Sequence, residues 1–278
     1  MAITIYRRTY AIKPQQSFAL DRANSLCNGL VGYWAFSSYT GGVVPDQLQY
    51  GPGTLGGTSG TPSWELREKG MDLAFVAANG QFVSVADNPS LRFSQGFGIE
   101  VLFWPNTARN FNGLVSKTNS NQPGPWDMFS PSNAHVNFNV GNGSSNTGTG
   151  STAFIQTGWN HFVAAYDPSG TGSLLTCLNG FCDAAVSASS QTVTDTANPI
   201  RFGNRNDGAT ALDGKIAYVR IWNRPLRTSD AMRLWSNPYQ IISTSKRVFF
   251  NSVAAAGSLL VNPGMTGGMK DFTGGING

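Results

Sequence analysis

Apolar and polar residues alternate with a period of two along much of the middle of the chain. Phe97, Ile99, Val101 and Phe103 share one parity; Val136, Phe138 and Val140 do the same, with His135, Asn137 and Asn139 between them. Successive side chains on a strand point to opposite faces, so this pattern predicts half-buried β-strands rather than helices. The expected strands are residues 30–36, 71–75, 81–85, 97–104, 114–117, 135–140, 159–167, 173–178, 181–186, 200–203 and 215–222. Turn residues separate them, as in Pro123-Gly124-Pro125 and Asp167-Pro168-Ser169-Gly170, and residues 141–150 read as a polar loop. One late helix is expected, capped by Thr228 or Ser229 and ended by Pro238.

Many short strands and one late helix predict an all-β, two-sheet antiparallel jelly-roll sandwich over residues 26–240. The flanks differ. Residues 1–25 form an expected extended basic arm, and residues 241–278 a Gly-rich arm without periodicity. Neither flank holds enough apolar surface to offset its own ordering entropy.

Composition sharpens this picture. Of 278 residues, 33 are Gly and only 12% are charged, which disfavours long solvated helices and suits strands joined by tight turns. The net charge of +4 is scattered except near the ends, so a nucleic-acid partner is not expected. No window has the roughly 20 apolar residues a membrane helix needs, and Arg7, Arg8 and Lys13 interrupt any apolar leader. Synthesis in a cytosol is the expectation. Asn179-Gly180 signals a two-residue hairpin turn that sets Cys177 opposite Cys182. A cross-strand disulfide is sterically open to them, but a reducing cytosol favours two free thiols.

Several segments resemble the concanavalin A-like, laminin G-like jelly-roll domains. The segment Trp159-Asn160-His161-Phe162-Val163-Ala164-Ala165-Tyr166-Asp167, followed by a strand ending in Asn179-Gly180, is similar to a strand pair of that family. Ile200-Arg201-Phe202-Gly203-Asn204 and the stretch from Leu212 to Leu226 follow in the family's order, with Gly29 to Trp34 as the opening strand. Ala217-Tyr218 stands where the family has Asp-Glu. The flanks, with Asn237-Pro238-Tyr239-Gln240 before Lys246-Arg247-Val248-Phe249-Phe250, look like bacteriophage-encoded members, which are usually virion-associated.

Catalytic chemistry is sparse. Glucanases of this fold use paired carboxylates in an E-x-D-x-E pattern, and the three glutamates, Glu65, Glu68 and Glu100, do not form one. No catalytic residues and no cofactor are expected, and the chain is read as a non-enzyme. His135 and His161 are the only histidines, and no His or Cys group has metal-ligand spacing. Asp87, Asn88, Asp207 and Asp213 could supply loop oxygens to calcium, but turn capping is the expected role, and no metal site is assigned. For a sugar, the candidate contacts are Tyr50, Trp126 and Asn206.

The tail repeats an apolar residue, Thr-Gly-Gly and a second apolar residue, at Met265 to Met269 and at Phe272 to Ile276. Docking on neighbouring subunits would supply the missing burial. The expected assembly contacts are Arg7, Arg8, Lys246, Arg247, Met265, Met269, Phe272 and Ile276. The resulting expectation is a homo-oligomeric capsid decoration or cement protein of a phage virion, bound to the major capsid protein or another virion protein. The alternative is a lectin-like module that binds a surface glycan from a phage tail or other adhesin.

Overall fold

A computed structural model describes residues 13, 18–37, 41–67, 70–93, 95–107, 112–119, 124–131, 135–150, 157–170, 172–188, 192–208 and 210–243. In chain order the first strands are β1 (Leu30–Trp34), β2 (Val43–Val44), β3 (Gly53–Gly56), β4 (Ser63–Arg67), β5 (Gly70–Phe75) and β6 (Phe82–Val85). Then come β7 (Phe97–Pro105), β8 (Asn112–Ser116), β9 (Trp126–Ser130), β10 (Asn137–Gly141), β11 (Asn146–Gly150) and β12 (Asn160–Asp167). The last are β13 (Ser173–Leu178), β14 (Phe181–Cys182), β15 (Val186–Ser187), β16 (Ile200–Phe202) and β17 (Gly214–Trp222), followed by the helix α1 (Thr228–Ser236).

The strands form two antiparallel sheets, so the fold is a mostly-β sandwich. The first runs β14-β13-β12-β7-β17-β5-β4, with β1 added on β17 and β15 on β13. The second runs β11-β10-β9-β8-β16-β6-β3-β2. Between them lies the main core, into which β7 sends Phe97, Ile99, Val101 and Phe103, as the alternation predicts.

A second core lies on the outer face of the first sheet. There Leu102, Val163, Ala165, Tyr218 and Trp222 pack against Leu26, Leu30, Leu234 and Ile241. An irregularity in the β7–β17 register lies between Ile216 and Tyr218. Two residues there oppose one on β7, so Ala217 and Tyr218 both join the outer layer while Ile216 and Val219 stay in the main core. The lid over this layer comes from α1 and the segments on either side of the sandwich. Leu20 bridges to Ile242, the Asp21 amide donates to the Ile241 carbonyl, and Phe18 packs on Tyr33. Lys13 is buried as well, and its ammonium donates to the carbonyls of Phe36 and Met71. The described part of residues 1–25 thus lies on the sandwich itself.

Four local expectations are corrected. Residues 146–150, read as loop, form the edge strand β11. At Gly148 an added Cβ would meet the end of the Asn139 side chain opposite, which would have to move aside. The cap of α1 is Arg227 rather than Thr228 or Ser229, and its amide donates to the Asp230 carboxylate. The hairpin at Asn179-Gly180 forms with both turn residues at positive φ, but Cys177 and Cys182 are joined in a disulfide and are not free thiols. Facing positions without mutual hydrogen bonds bring side chains closest, and that proximity prevails over the compartment argument. Finally, Trp126 is 1% exposed and packs on Phe97 between the sheets. A strand residue of core parity cannot present an open aromatic platform.

Candidate functional site

The outer face of the second sheet carries an unbroken polar row. Asn139 on β10 stands opposite Asp127 on β9, which faces Ser116 on β8. Ser116 stands opposite Arg201 on β16, Arg201 opposite Ser84 on β6, and Ser84 opposite Thr54 on β3. Facing residues share one side of a sheet. The flanking residues Met128, Phe138, Ile200, Phe202, Val83 and Val85 all enter the main core, which leaves the row on the opposite side. With strands spaced about 4.8 Å apart, six positions span roughly 24 Å.

The loop that follows β16 folds over the middle of this row. Asn206 donates through Nδ2 to the carbonyls of Thr118 (3.0 Å) and Pro199 (3.1 Å). Arg205 lies 3.8 Å from Asp127 and 3.4 Å from Asp207. Arg201 donates through Nη1 to the carbonyls of Arg205 (3.1 Å) and Asn206 (3.2 Å), and its Cζ sits 3.9 Å from the centroid of the Phe82 ring. Burial pushes the Asp127 carboxyl up to about 7, with Arg205 opposing the rise and Asp207 adding to it. Burial also lowers the pKa of Arg201, against the pull of Asp207.

Buried polar atoms are normally satisfied. Here Asp127 Oδ1, Arg201 Nε, Arg205 Nε and Asn206 Oδ1 are buried without a hydrogen-bond partner among the described residues. Two donors and two acceptors therefore lie covered and unpaired in one place beneath this loop.

Beyond Ser84 and Thr54 the face opens into a hollow of roughly 460 Å³, lined also by Tyr50, Pro52, Asn88 and Pro199. Tyr50 is 49% exposed and forms its aromatic wall. The loop that presents Tyr50 is tied by one carboxylate, because Asp46 accepts the amides of Tyr33, Leu48, Tyr50 and Gly51. Asn88 closes the knot by donating to the Tyr50 carbonyl. Of the residues singled out for sugar contact, Tyr50 lines the hollow; Asn206 does not line it and hydrogen-bonds the carbonyl of Pro199, which does. The third, Trp126, belongs to the core.

A larger hollow of roughly 700 Å³ lies beside the N-terminus of α1. Its Arg224 is already engaged by Asp230 and by the carbonyls of Asn28 and Pro225, so it offers less open chemistry.

The loop acids considered for calcium are dispersed. Asp87 faces the fully buried Lys117 ammonium at 3.1 Å, with Asp195 at 2.8 Å and the Leu91 carbonyl at 3.0 Å. Asp213 accepts from Thr107, and Asn88 caps the turn at Ser90. Among the described residues no three His, Cys, Asp or Glu side chains group to hold a metal, and no helix is long and apolar enough to cross a membrane. The assembly candidates Arg7, Arg8, Lys246, Arg247, Met265, Met269, Phe272 and Ile276 lie outside the described residues.

Sequence reading missed Arg201, Arg205, Asp127 and Phe82. A signal existed for Arg201, a lone cation between Ile200 and Phe202 in a strand of otherwise core parity.

Solved structures share this architecture at low identity. The binding domain of botulinum neurotoxin DC, solved with rat synaptotagmin II, matches with TM-score 0.58 and 14% identity over 75% of this chain and 51% of that one. Domain 4 of AbnA, an extracellular arabinanase from Geobacillus stearothermophilus in complex with arabinotriose, matches with TM-score 0.56 and 14% identity over 74% of this chain and 97% of that one. The binding domain of Paraclostridial Mosquitocidal Protein 1 gives TM-score 0.59 and 17% identity over 77% and 53%. This chain spans about half the length of the toxin binding domains. No curated protein matches it. A laminin G-type family model, described as the concanavalin A-like lectin/glucanases superfamily, matches residues 77–231, more than half the chain. The chain therefore belongs to the concanavalin A-like lectin/glucanases superfamily.

Proposed function

We propose that this protein is a carbohydrate-binding module whose ligand lies across the outer face of the second sheet. The observation that carries the reading is the open end of the polar row, where Ser84 and Thr54 meet the exposed Tyr50 at the hollow; Ser116 and Asp127 in its middle are buried. The opposite outer face is sealed by a second core; the polar one presents the exposed Thr54 and the half-buried Ser84 beside an aromatic wall, polar groups and a ring together as sugars require. The arabinotriose complex of the arabinanase domain supports a sugar as ligand class for a sandwich of this shape.

The proposal includes no catalysis. Glu100 is enclosed under the second core, Glu65 is paired with Lys215, and of the acids on the proposed face Asp127 and Asp207 are engaged with Arg205 and Asp87 with Lys117 and Arg92.

The test is a glycan array probed with the full chain and with Tyr50→Ala. Saturable binding is expected, about tenfold weaker in the variant, the order of magnitude of one lost aromatic contact. Binding that ignores Tyr50 would remove the hollow from the site, and an array without any binding would overturn the reading.

Display on a phage virion, with a capsid or tail protein as partner and a homo-oligomeric assembly, is a separate proposal. Its support is the flanking sequence, residues 1–25 and 241–278 with Asn237 to Gln240 before Lys246 to Phe250, of which residues 1–12 and 244–278 lie outside the described residues.

A further inference from the structure

We infer that a second hollow beside the one at Tyr50 is a further subsite for the same ligand, so that the site takes an oligosaccharide chain rather than a single sugar unit. The inference rests on the glycan-binding reading and adds the length of the ligand.

The second hollow measures roughly 290 Å³ and is lined by Arg92, Phe93, Val193, Asp195, Thr196 and Ala197. Two segments of the chain run from one hollow to the other. One lines the Tyr50 hollow at Asp87 and Asn88, makes the short 3-10 turn Pro89–Leu91, and lines the second hollow at Arg92 and Phe93. The other lines the second hollow at Asp195 to Ala197 and the Tyr50 hollow at Pro199. A common wall stands between them. Asp87 and Asp195, one from each lining, meet at the same buried ammonium, with Lys117 Nζ 3.1 Å from the first and 2.8 Å from the second. Arg92 completes the wall: Nε and Nη2 both donate to Asp87, and Nε lies 3.9 Å from Asp195.

The chemistry of the second hollow suits a sugar as the first does. Phe93 and Val193 form an apolar floor, and Phe93 is fixed from behind by stacking on Phe97 at 5.2 Å. Thr196 adds a hydroxyl, and Ala197 leaves the mouth open. Between the hollows the Arg92 side chain is 47% exposed. A guanidinium carries five N–H groups, so Arg92 keeps donors for the hydroxyls of a unit that passes over the wall. Asp87 already holds it in place, so little side-chain entropy is lost on contact. A chain that fills both hollows gives up its overall freedom once for two sets of contacts, which makes the longer ligand the tighter one.

The experiment uses an array that carries arabinan, xylan, galactan, β-glucan and chitin oligosaccharides as length ladders, each from the single unit upward. It is probed with the full chain and with Ala197→Cys before and after capping by N-ethylmaleimide, which fills the second hollow. Ala197 is exposed, so the substitution leaves the fold intact, as circular dichroism will report. Cys27 is buried and Cys177 and Cys182 are bonded to each other, so the cap falls on position 197, and the mass confirms a single addition. Wild type is expected to gain at least about tenfold in affinity from the shortest bound member of a ladder to the longest, the worth of one or two hydrogen bonds. Uncapped Ala197→Cys is expected to keep that gain; the capped protein is expected to lose it and to bind the shortest member as before. Affinity that does not rise with length, or a rise that survives capping, overturns the second subsite and leaves the Tyr50 hollow standing. An array with no binding at all overturns both.

Discussion

At Glu100 the chain places a carboxylate in a layer of apolar side chains, and three side chains meet it. His161 Nε2 lies at 2.7 Å, the Tyr218 hydroxyl donates at 2.8 Å and Arg220 Nη1 at 3.0 Å. Arg220 in turn donates to the Tyr33 hydroxyl and the Pro238 carbonyl, which links the sheet to the segment after α1. Burial alone would push the Glu100 carboxyl up; Arg220, with His161 and Tyr218, outweighs it and holds the group below its ordinary 4.5. Glu100→Gln leaves the Arg220 charge buried without its counter-ion, so a loss of about 3–5 kcal/mol in urea unfolding is expected. Because the folded pKa is depressed, this contribution is complete above pH 4.5 and is lost as pH falls through the folded value. The variant should lack that part of the acid slope; equal stability of both proteins from pH 3 to 7 would contradict the account. None of this was legible beforehand. The sequence shows a glutamate outside any glucanase pattern, and its partners lie 61, 118 and 120 residues downstream. Arg201 poses the same difficulty, because its aromatic partner Phe82 belongs to a distant strand that only the sheet order makes a neighbour.

Strands with strong alternation were legible, and weakly patterned ones were not. Phe97–Pro105 and Asn137–Gly141 were readable because one face enters the main core and the other does not. Gly53–Gly56 and the edge strand Asn146–Gly150 were missed because strands of glycine and threonine contribute few apolar side chains to either face. On β17 the register irregularity puts Ala217 and Tyr218 on one side, which breaks the alternation that sequence reading depends on. The hairpin at Asn179-Gly180 was legible because its turn residues require positive φ and few residue types tolerate it. At the same scale stand the flanking segments. If the proposed virion attachment holds, deleting residues 257–278 abolishes binding to partner-free particles in co-sedimentation while the circular dichroism of the sandwich is unchanged. Attachment that survives the deletion would remove the tail from the proposed interface.

In the whole molecule, the two outer faces have opposite fates. The first sheet is covered by α1 and by segments that include Leu26 and Ile241, which bury its outward residues in a second core. The second sheet keeps a polar row outside, crossed by the loop that carries Arg205 and Asn206. The jelly-roll class was readable from alternation and motif order, since both describe which side of each strand is apolar. The choice of face was not, because it depends on which segments return to cover which sheet. The most direct measurement is an amide chemical-shift titration of the labelled full chain with a glycan selected from the array. The account predicts that the largest shifts fall on Thr54, Phe82, Ser84, Asn139 and Arg201 and on the loop at Arg205 to Asp207. Shifts concentrated instead on α1 and the hollow at Arg224 would place the ligand on the sealed side and contradict it.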